Sequence, residues 1–559
     1  MVELTRTFRP TPSDGLPTST SVLQKQTEEL VVKQLSHYQQ VQPNPNAGPP
    51  SASLPTEPEL SKPLLERKLH LQFLLRNMLQ GFPQRYVSQD ASQPWLMFWT
   101  LQGFSVLGVG LDDKTKKRAR DTLLALQHPE GGFCGGPGQA AHLLATYASV
   151  CSLAIVGQPG IGGAWDEVDR KKMYDFFMSL KQTDGSFLVA HHAESWILFR
   201  YASLTNSGIY CLLAVATLLN IITPELLSGL PEFIVSCQTY EGGFGNASFP
   251  EWVFQKGEDS TISFDPSAPR PVLGEAHGGY TFCATASWVL LQPYVRAYYS
   301  SPIENDLSSN DDAQSPGLPL PSINYLLLLR WLVRMQGTEI ELGGFKGRTN
   351  KLVDGCYSWW VGGCLALVEA FIGLGDTEKH AEVDYSGDTG TRAEEDAWHD
   401  IDDGLLNREA LQEYILYAGQ HPAGGLRDKP PKPADAYHTL YCLSGLSAAQ
   451  HHVAPDESRK TKLIAGWKAE DAQQKAGVCT AQTSTDNQAR AAALRRYTFT
   501  DALCWLEDEG ADKYVGGSGN RVNATQPLFN LTVTHTELMM AHFYGQTLPP
   551  RVAQTPAKK

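Results

Sequence analysis

The amino-acid sequence lacks several features that mark common classes of protein. Its ten cysteines include no CxxC pair and follow no regular spacing, which argues against a disulfide scaffold and favours reduced core thiols. The N-terminal residues contain no apolar stretch of the signal-peptide kind, and the apolar run at 209–222 is too short to span a bilayer. We therefore expect a soluble, cytoplasmic protein without a transmembrane segment.

The chain also lacks an excess of positive charge. It carries 46 basic and 60 acidic residues, which gives a formal net charge of −14. This balance disfavours nucleic acid or an anionic membrane as the main partner, so an anionic substrate would need a local basic pocket. The chain has 559 residues, of which 42% are hydrophobic, and this is enough to fill a large core.

A repeated motif organises most of the sequence. A Gln is followed by a short polar turn and a Gly-rich, usually aromatic step. There are five copies: Gln127 with 131–133, Gln182 with 185–187, Gln238 with 242–244, Gln336 with 343–345 and Gln420 with 424–426. An amphipathic stretch precedes each Gln, and a stretch of small and aromatic residues begins near 140, 208, 276, 354, 436 and 535. Each unit is therefore predicted to be a helical hairpin.

Hairpins of this kind cannot bury their apolar faces alone, so they must pack against one another. The six stretches of small and aromatic residues indicate six hairpins. Six hairpins predict an all-α fold, an α/α barrel with inner and outer helices. The inner helices would all begin at one mouth of a central cavity, and we expect the functional residues there.

Other segments do not follow the repeat. Residues 1–60 are rich in Pro, Ser, Thr and Gln, with one plausible helix at 28–40, and we expect a mostly disordered arm. The barrel is assigned to 61–550 and a tail to 551–559. Polar insertions with little helical periodicity are predicted near 246–275, 300–320, 375–402 and 452–495.

Chemically versatile residues concentrate at the predicted helix mouths. Asp354 and Cys356 stand at the start of one inner helix, and His438 stands at a similar position in the next hairpin. A carboxylate, a thiolate and an imidazole form a three-ligand set suited to catalytic Zn²⁺ with one position open. The alternative is that Cys356 is one more buried thiol and His438 a core histidine.

Two further groups of residues lie at the same mouths. The first combines positive charge with hydrogen-bond donors and suits a diphosphate: His277, Tyr280, Arg348, Lys351 and Tyr357. The second could line an apolar tube: Trp95, Trp99, Tyr210, Cys283 and Trp360. The alternatives are a solvated polar turn for the basic residues and ordinary core packing for the aromatic ones.

Six segments resemble the β subunits of protein farnesyltransferases, over about residues 65 to 450. They are PWLMFW (94–99), AHGGYTFC (276–283), GRTNKLVDGCYSWW (347–360), LQEYIL (411–416), PAGGLRDKP (422–430) and YHTLYCLSGLS (437–447). The resemblance implies a toroid of the terpenoid cyclase and prenyltransferase kind. It also implies a heterodimer with an α subunit and substrates that end in a CaaX sequence.

The resemblance further implies roles for individual residues. Asp354, Cys356 and His438 would be the zinc ligands, with Tyr357 and Lys351 also catalytic. His277, Arg348, Lys351 and Tyr357 would bind the diphosphate, and Trp360, Tyr280, Cys283 and Tyr210 would contact the isoprenoid. Zinc would lower the pKa of the substrate cysteine, and the resulting thiolate would attack C1 of farnesyl diphosphate.

Three positions indicate the length of the prenyl donor. Trp95 stands where geranylgeranyl enzymes carry a small residue and would form the floor of the pocket. Tyr441 stands where type I geranylgeranyl enzymes have Phe, and Asp428 stands where they have a Lys that replaces magnesium. Together these residues predict farnesyl diphosphate with Mg²⁺, and a geranylgeranyltransferase β subunit is the alternative.

One segment departs from the resemblance, and two other classes remain open. Glu194 is followed by SWILFRYASLTNS, so the family's Arg is missing at its usual offset, and Arg200, ten residues before Tyr210, is the candidate to replace it. Residues 400–403 (DIDD) match the proton-donor pattern of terpene cyclases, although they lie in an acidic insertion. A binding barrel without catalytic activity is the third class.

Overall fold

The computed structural model describes most of the predicted barrel. The described residues are 9–35, 38, 62–182, 184–191, 206–248, 254–256, 262–264, 273–299, 321–372, 405–474 and 485–546. Several predictions therefore lie outside the described residues: Arg200 and most of its segment, residues 400–403, the insertions at 300–320 and 375–402, most of the insertion at 246–275, and the tail.

Eighteen α-helices are present in the described residues. They are α1 (Ser19–Leu35), α2 (Arg67–Gln80), α3 (Gln93–Val106), α4 (Asp113–Leu124), α5 (Leu143–Val156), α6 (Arg170–Leu180), α7 (Asn206–Leu218), α8 (Pro224–Leu227), α9 (Leu230–Ser236), α10 (Gly278–Tyr298), α11 (Tyr325–Val333), α12 (Tyr357–Trp360), α13 (Gly362–Ile372), α14 (Arg408–Glu413), α15 (Ala436–Gln450), α16 (Glu457–Gln474), α17 (Thr485–Leu503) and α18 (Val533–Tyr544). A π-helical segment, Tyr414–Gly419, continues α14. In the described part of the chain, no helix is both long and apolar enough to cross a membrane.

Strands play a small part. Three antiparallel pairs are described: Phe254–Lys256 (β1) with Ile262–Phe264 (β2), His452–Pro455 (β3) with Trp505–Asp508 (β4), and Thr525–Gln526 (β5) with Leu531–Thr532 (β6). The third pair encloses a tight loop at 527–530, which proves important for the cavity.

Six inner elements form a closed ring. Helix α3 packs on α5, α5 on α7, α7 on α10, α10 on α12 and α13, and these on α15, which packs back on α3. These helices are apolar on nearly every side, as helices surrounded by protein must be. Amphipathic helices such as α4, α6 and α11 alternate with them along the chain and bury one face only. The predicted α/α barrel is confirmed.

Four of the five repeated Gln side chains bond to the N-cap of the following outer helix. Gln336 donates from Nε2 to the carbonyl of Gly343 in its own Gly-rich step, and its Oε1 accepts the amide of Asn407, the N-cap of α14. Gln127 and Gln238 accept the N-cap amides of α6 and α11 in the same way. Gln420 accepts the amide of Glu66, the N-cap of α2, at 2.8 Å. The last repeat is thereby tied to the first outer helix, 354 residues away.

The sixth inner helix differs from the predicted one. Sequence analysis placed the segment near 535 in the ring, but the structure places α3 there. Helix α18 instead packs on α5, α7 and α17. It lies at the C-terminal ends of the inner helices, where Asn220 donates to the carbonyl of Phe543 at 3.1 Å. The ring closes with α15 on α3, which leaves no place for another inner helix.

Two polar segments are more ordered than their composition predicted. Helix α1 begins at Ser19 rather than near residue 28, and it packs against 339–341 and 414–419 with Val31 and Leu35 buried. The predicted arm thus contains a packed helix within the described residues 9–35, and its mostly disordered character stays a prediction. The described residues of the segment 452–495 form β3, α16 and the start of α17, and α17 packs on α10. Low apolar content hid these contacts because each helix buries only a few side chains against the ring.

Candidate active site

The N-terminal ends of the inner helices bring the predicted site residues together. His277 caps α10, where its Nδ1 accepts the amide hydrogen of Gly279 at 3.0 Å. Asp435 caps α15 by accepting the amide hydrogen of His438 at 2.8 Å. Because capping side chains point back over the first turn, they lie at the mouth of the ring.

Asp354, Cys356 and His438 converge at this mouth. One potential ligand atom from each residue lies within 4.8 Å of the others. His438 Nε2 is 3.2 Å from Asp354 Oδ1, and Asp354 Oδ1 also accepts the amide hydrogen of Cys356 at 2.9 Å. Ligand atoms around a tetrahedral zinc ion are separated by about 3 to 4 Å. The three residues could therefore hold one metal ion.

Asp435 orients the imidazole and was missed by sequence analysis. Its Oδ2 lies 2.6 Å from His438 Nδ1, while Nε2 faces Asp354. A carboxylate behind a histidine in this way fixes the ring and is typical of metal sites. The available signal was the Asp three residues before the His, at the position where a helix cap is expected.

The pKa values of this cluster reflect its close packing. Burial alone would lower the pKa of His438, but its hydrogen bonds to Asp354 and Asp435 raise it to about 10. Burial would raise the pKa of Asp354, yet the hydrogen bond and charge of His438 bring it below its usual value. Burial and the adjacent Asp354 carboxylate raise the pKa of the Cys356 thiol. The imidazolium and the carboxylate thus stabilise each other.

Tyr357 and His277 form a second group beside these residues. Tyr357 Oη lies 2.9 Å from His277 Nε2. Burial and the charge of Arg348 lower the pKa of His277. The phenol fits there because Gly347 has no side chain: a Cβ at that position would lie 1.8 Å from the Tyr357 ring.

The predicted basic residues occupy the loop before α12. Arg348 forms an ion pair with Glu275 at 2.8 Å, a partner that sequence analysis did not foresee. Lys351 is exposed in the same loop, three residues before Asp354. Tyr280 packs against His277 with ring centroids 4.8 Å apart and the rings tilted by 44°, so it lies near the basic group. It is not among the residues that line the apolar cavity.

An apolar cavity of about 430 Å³ lies beside the cluster. Six of its lining residues were predicted: Trp95, Trp99, Tyr210, Cys283, Trp360 and Tyr441. Sequence analysis missed others, including Tyr147, Trp359, Tyr437 and Asn530. Trp95 lies against Trp99 and Tyr147, with ring centroids 5.8 and 5.5 Å away.

The loop between β5 and β6 contributes to the lining of this cavity. Tyr147 donates to the carbonyl of Phe529 at 2.9 Å, and Tyr210 donates to that of Leu528 at 3.0 Å. Asn530 lines the cavity and accepts a hydrogen bond from Ser444 at 2.8 Å. No periodic pattern in the sequence marks this loop, so it could not be found without the fold.

Asp428 lies in the adjacent loop, where magnesium was predicted. Its carboxylate forms an ion pair with Lys429. Burial and the nearby Asp354 carboxylate raise the pKa of Asp428. A divalent cation would have to compete with the Lys429 ammonium for this oxygen.

A second His and carboxylate cluster lies at the β3–β4 pair, away from the cavity. His451 Nδ1 is 2.7 Å from Glu507 and 3.2 Å from Asp512, and its Nε2 donates to the carbonyl of Val522. These are hydrogen-bond distances within a charged network. The cluster fastens the C-terminal hairpin to the end of α15.

Comparisons with known proteins agree with this architecture. A family described as the prenyltransferase alpha-alpha toroid domain matches residues 65–531. The chain is 34% identical to the protein farnesyltransferase subunit beta of Arabidopsis thaliana, over 70% of this chain and 75% of that protein. It is 25% identical to the geranylgeranyl transferase type-1 subunit beta of the same plant, over 68% of this chain and 84% of that protein.

A solved structure gives a fold-level match. It is the Candida albicans protein geranylgeranyltransferase-I complexed with GGPP, with a TM-score of 0.50 and 17% sequence identity. The match covers 86% of this chain and 99% of that chain.

Proposed function

Because the chain belongs to the family of protein farnesyltransferase β subunits, we propose that it transfers farnesyl from farnesyl diphosphate to the cysteine thiol of proteins ending in CaaX. One observation carries the proposal: Asp354, Cys356 and His438 converge beside a group of hydrogen-bond donors and an apolar cavity. Alkyl transfer from a prenyl diphosphate needs all three features within reach of one another.

We assign the metal at this site to zinc. Carboxylate, thiolate and imidazole are its usual ligands, and a set of three leaves a position open for a substrate thiol. Asp435 would hold the His438 ring so that Nε2 faces the ion. Cys356 would lose its proton on metal binding, because the thiolate is the ligand. When bound, zinc would lower the pKa of the substrate cysteine towards neutrality.

The residues around Tyr357 would bind the diphosphate. His277 Nδ1 accepts a backbone amide, so the neutral ring carries its hydrogen on Nε2 and donates it to Tyr357 Oη. The phenolic hydrogen of Tyr357 would then be free to bond to an oxygen of the bound diphosphate. Arg348 and Lys351 would add positive charge as the diphosphate departs. Magnesium at Asp428 is part of the proposal and would add to this stabilisation.

The apolar cavity would hold the isoprenoid chain. Trp95 and Tyr441 line this cavity, and their rings would exclude the longer donor. The higher identity to the farnesyl relative, 34% against 25%, supports the shorter donor. An α subunit is the proposed partner, and a cytoplasmic location stays a prediction.

The proposal is tested on the chain purified together with its α subunit. We expect about one zinc per heterodimer, and farnesyl transfer to CaaX peptides that exceeds geranylgeranyl transfer. Replacing the ligand thiol (Cys356→Ser) should remove zinc and lower the transfer rate by at least about 100-fold. The matched control is Cys504→Ser, a buried thiol outside the ring, which should retain both.

Other outcomes would identify the rival functions. Preferred transfer of the longer donor would make the chain a geranylgeranyltransferase β subunit. Release of a cyclised hydrocarbon without peptide would indicate a terpene cyclase. A heterodimer that binds farnesyl diphosphate without consuming it would indicate a binding barrel.

A further inference from the structure

A recurring contact holds the hairpins of the ring together. The backbone of the second Gly in a Gly-Gly step packs directly against an aromatic ring of the following outer helix. A Cβ on this Gly would meet that ring at 2.5 to 3.0 Å in four hairpins: Gly132 on Phe176, Gly243 on Trp331, Gly344 on Tyr414 and Gly425 on Phe73. Three of these rings carry no hydroxyl group. Packing at this position therefore requires an aromatic ring and nothing more.

Tyr414 is the exception, and its hydroxyl makes a specific contact. The side chain is fully buried and stands at the first residue of the π-helical segment Tyr414–Gly419. Its Oη donates to the backbone carbonyl of Asp428 at 2.7 Å. π-Helical segments are uncommon and often occur at functional sites.

The carbonyl of Asp428 is shared with the metal-site loop. It also accepts the amide hydrogen of Gly355 at 2.7 Å, and Gly355 lies between Asp354 and Cys356. Space is limited here, because a Cβ on Gly355 would lie 2.6 Å from both the Arg427 carbonyl and Cys442 Sγ. The Gly355 backbone is thus tightly packed, and its hydrogen bond to the Asp428 carbonyl fixes the position of its amide.

We propose that Tyr414 is a positioning residue for the metal site. Its hydroxyl holds the Asp428 carbonyl, the carbonyl holds the Gly355 amide, and the amide sets the spacing of the two ligands on either side. This role rests on the proposed zinc site and goes beyond it, because the Tyr414 hydroxyl bonds to a backbone carbonyl rather than to a ligand side chain. It also explains why the tyrosine stands in the hairpin that follows Asp354 and Cys356, where Phe or Trp serves elsewhere.

The test uses Tyr414→Phe in the full heterodimer, with Tyr174→Phe as the matched control. Tyr174 lies on outer helix α6, and its hydroxyl lies 3.0 Å from Thr223 Oγ1, on the outer side of the ring. Zinc affinity is measured by competition with a chromogenic chelator. We expect binding to weaken about 10-fold in Tyr414→Phe and to stay unchanged in Tyr174→Phe.

A second measurement separates positioning from general stability. The thermal midpoint of each metal-free heterodimer reports the packing of the ring, and we expect similar values for both variants. Tyr414→Phe with the zinc affinity of the parent protein would overturn the positioning role and leave the proposed function intact. A parent heterodimer that binds no zinc would overturn the proposed function and the positioning role with it.

Discussion

His277 Nε2 lies 2.9 Å from Tyr357 Oη at the mouth of the ring. His277 is the N-cap of α10 and Tyr357 is the first residue of α12, so the contact joins two neighbouring inner elements. Since Nδ1 already accepts the Gly279 amide, the neutral imidazole can only donate through Nε2. The phenol is thereby left with its own hydrogen free to donate.

We predict that Tyr357→Phe slows farnesyl transfer. A hydrogen bond to a charged group contributes about 1.5 to 3 kcal/mol, so the single-turnover rate should fall about 10- to 100-fold. Zinc content should not change, because the phenol is not a ligand. Tyr174→Phe serves as the control. A Tyr357→Phe rate within twofold of the parent protein would contradict this role.

A second prediction concerns the length of the donor. Trp95→Thr should shift preference towards geranylgeranyl diphosphate, because removal of the indole opens the cavity beside Trp99 and Tyr147. The ratio of kcat/KM for the two donors should change by about 10-fold or more. The control is Trp467→Thr, in α16 outside the ring, which should keep the parent ratio. An unchanged ratio in Trp95→Thr would show that other residues limit the chain length.

The third prediction is a loss of stability in acid that arises from His70. Its Nδ1 accepts the Gly425 amide and its Nε2 lies 2.8 Å from Gln420 Oε1, so the buried ring is satisfied as a neutral group. Burial lowers its pKa from 6.5 to about 4. Between these pH values the unfolded chain binds a proton that the folded chain does not, so stability falls as pH falls.

The expected loss is roughly 3 kcal/mol between pH 6.5 and pH 4. Urea denaturation at several pH values measures it in the parent protein and in His70→Gln, which lacks the titrating group. The variant should lose correspondingly less stability across this window, whatever its stability at pH 7. Parallel curves for the two proteins would contradict the assignment to His70.

The fourth prediction concerns α1, the helix within the predicted N-terminal arm. Leu35 is 1% exposed, and Gln24 donates to the buried carboxylate of Glu341 at 2.7 Å. Leu35→Ala should lower the free energy of unfolding by about 2 to 5 kcal/mol. Leu16→Ala, where the side chain is 69% exposed, should change it by less than about 0.5 kcal/mol. Equal stability of both variants would mean that α1 does not pack on the ring in solution.

Much of the architecture could be predicted because it is encoded locally. Helical periodicity and the Gln and Gly-rich steps recur at short range, and four of the five Gln side chains bond to the cap of the next outer helix, as Gln336 does with Asn407. The approach of Cys356 to His438 followed from the same logic, since both stand at the start of inner elements in adjacent hairpins. The same pattern could have predicted Asp435 as a partner of His438, because it stands at the helix-cap position three residues earlier.

Some decisive features have no local pattern. The loop at 527–530 reaches the cavity through backbone carbonyls that bond to Tyr147 and Tyr210, and carbonyls carry no residue identity. Three other features also lack a local sequence pattern. They are the packing of α18, the packing of α1, and the hydrogen bonds that link Tyr414 through the Asp428 carbonyl to Gly355. The residue pattern fixed the hairpins and the ligand types, because these depend on periodicity and side-chain chemistry. Closure of the ring decided the rest, because it depends on contacts between residues far apart in the chain.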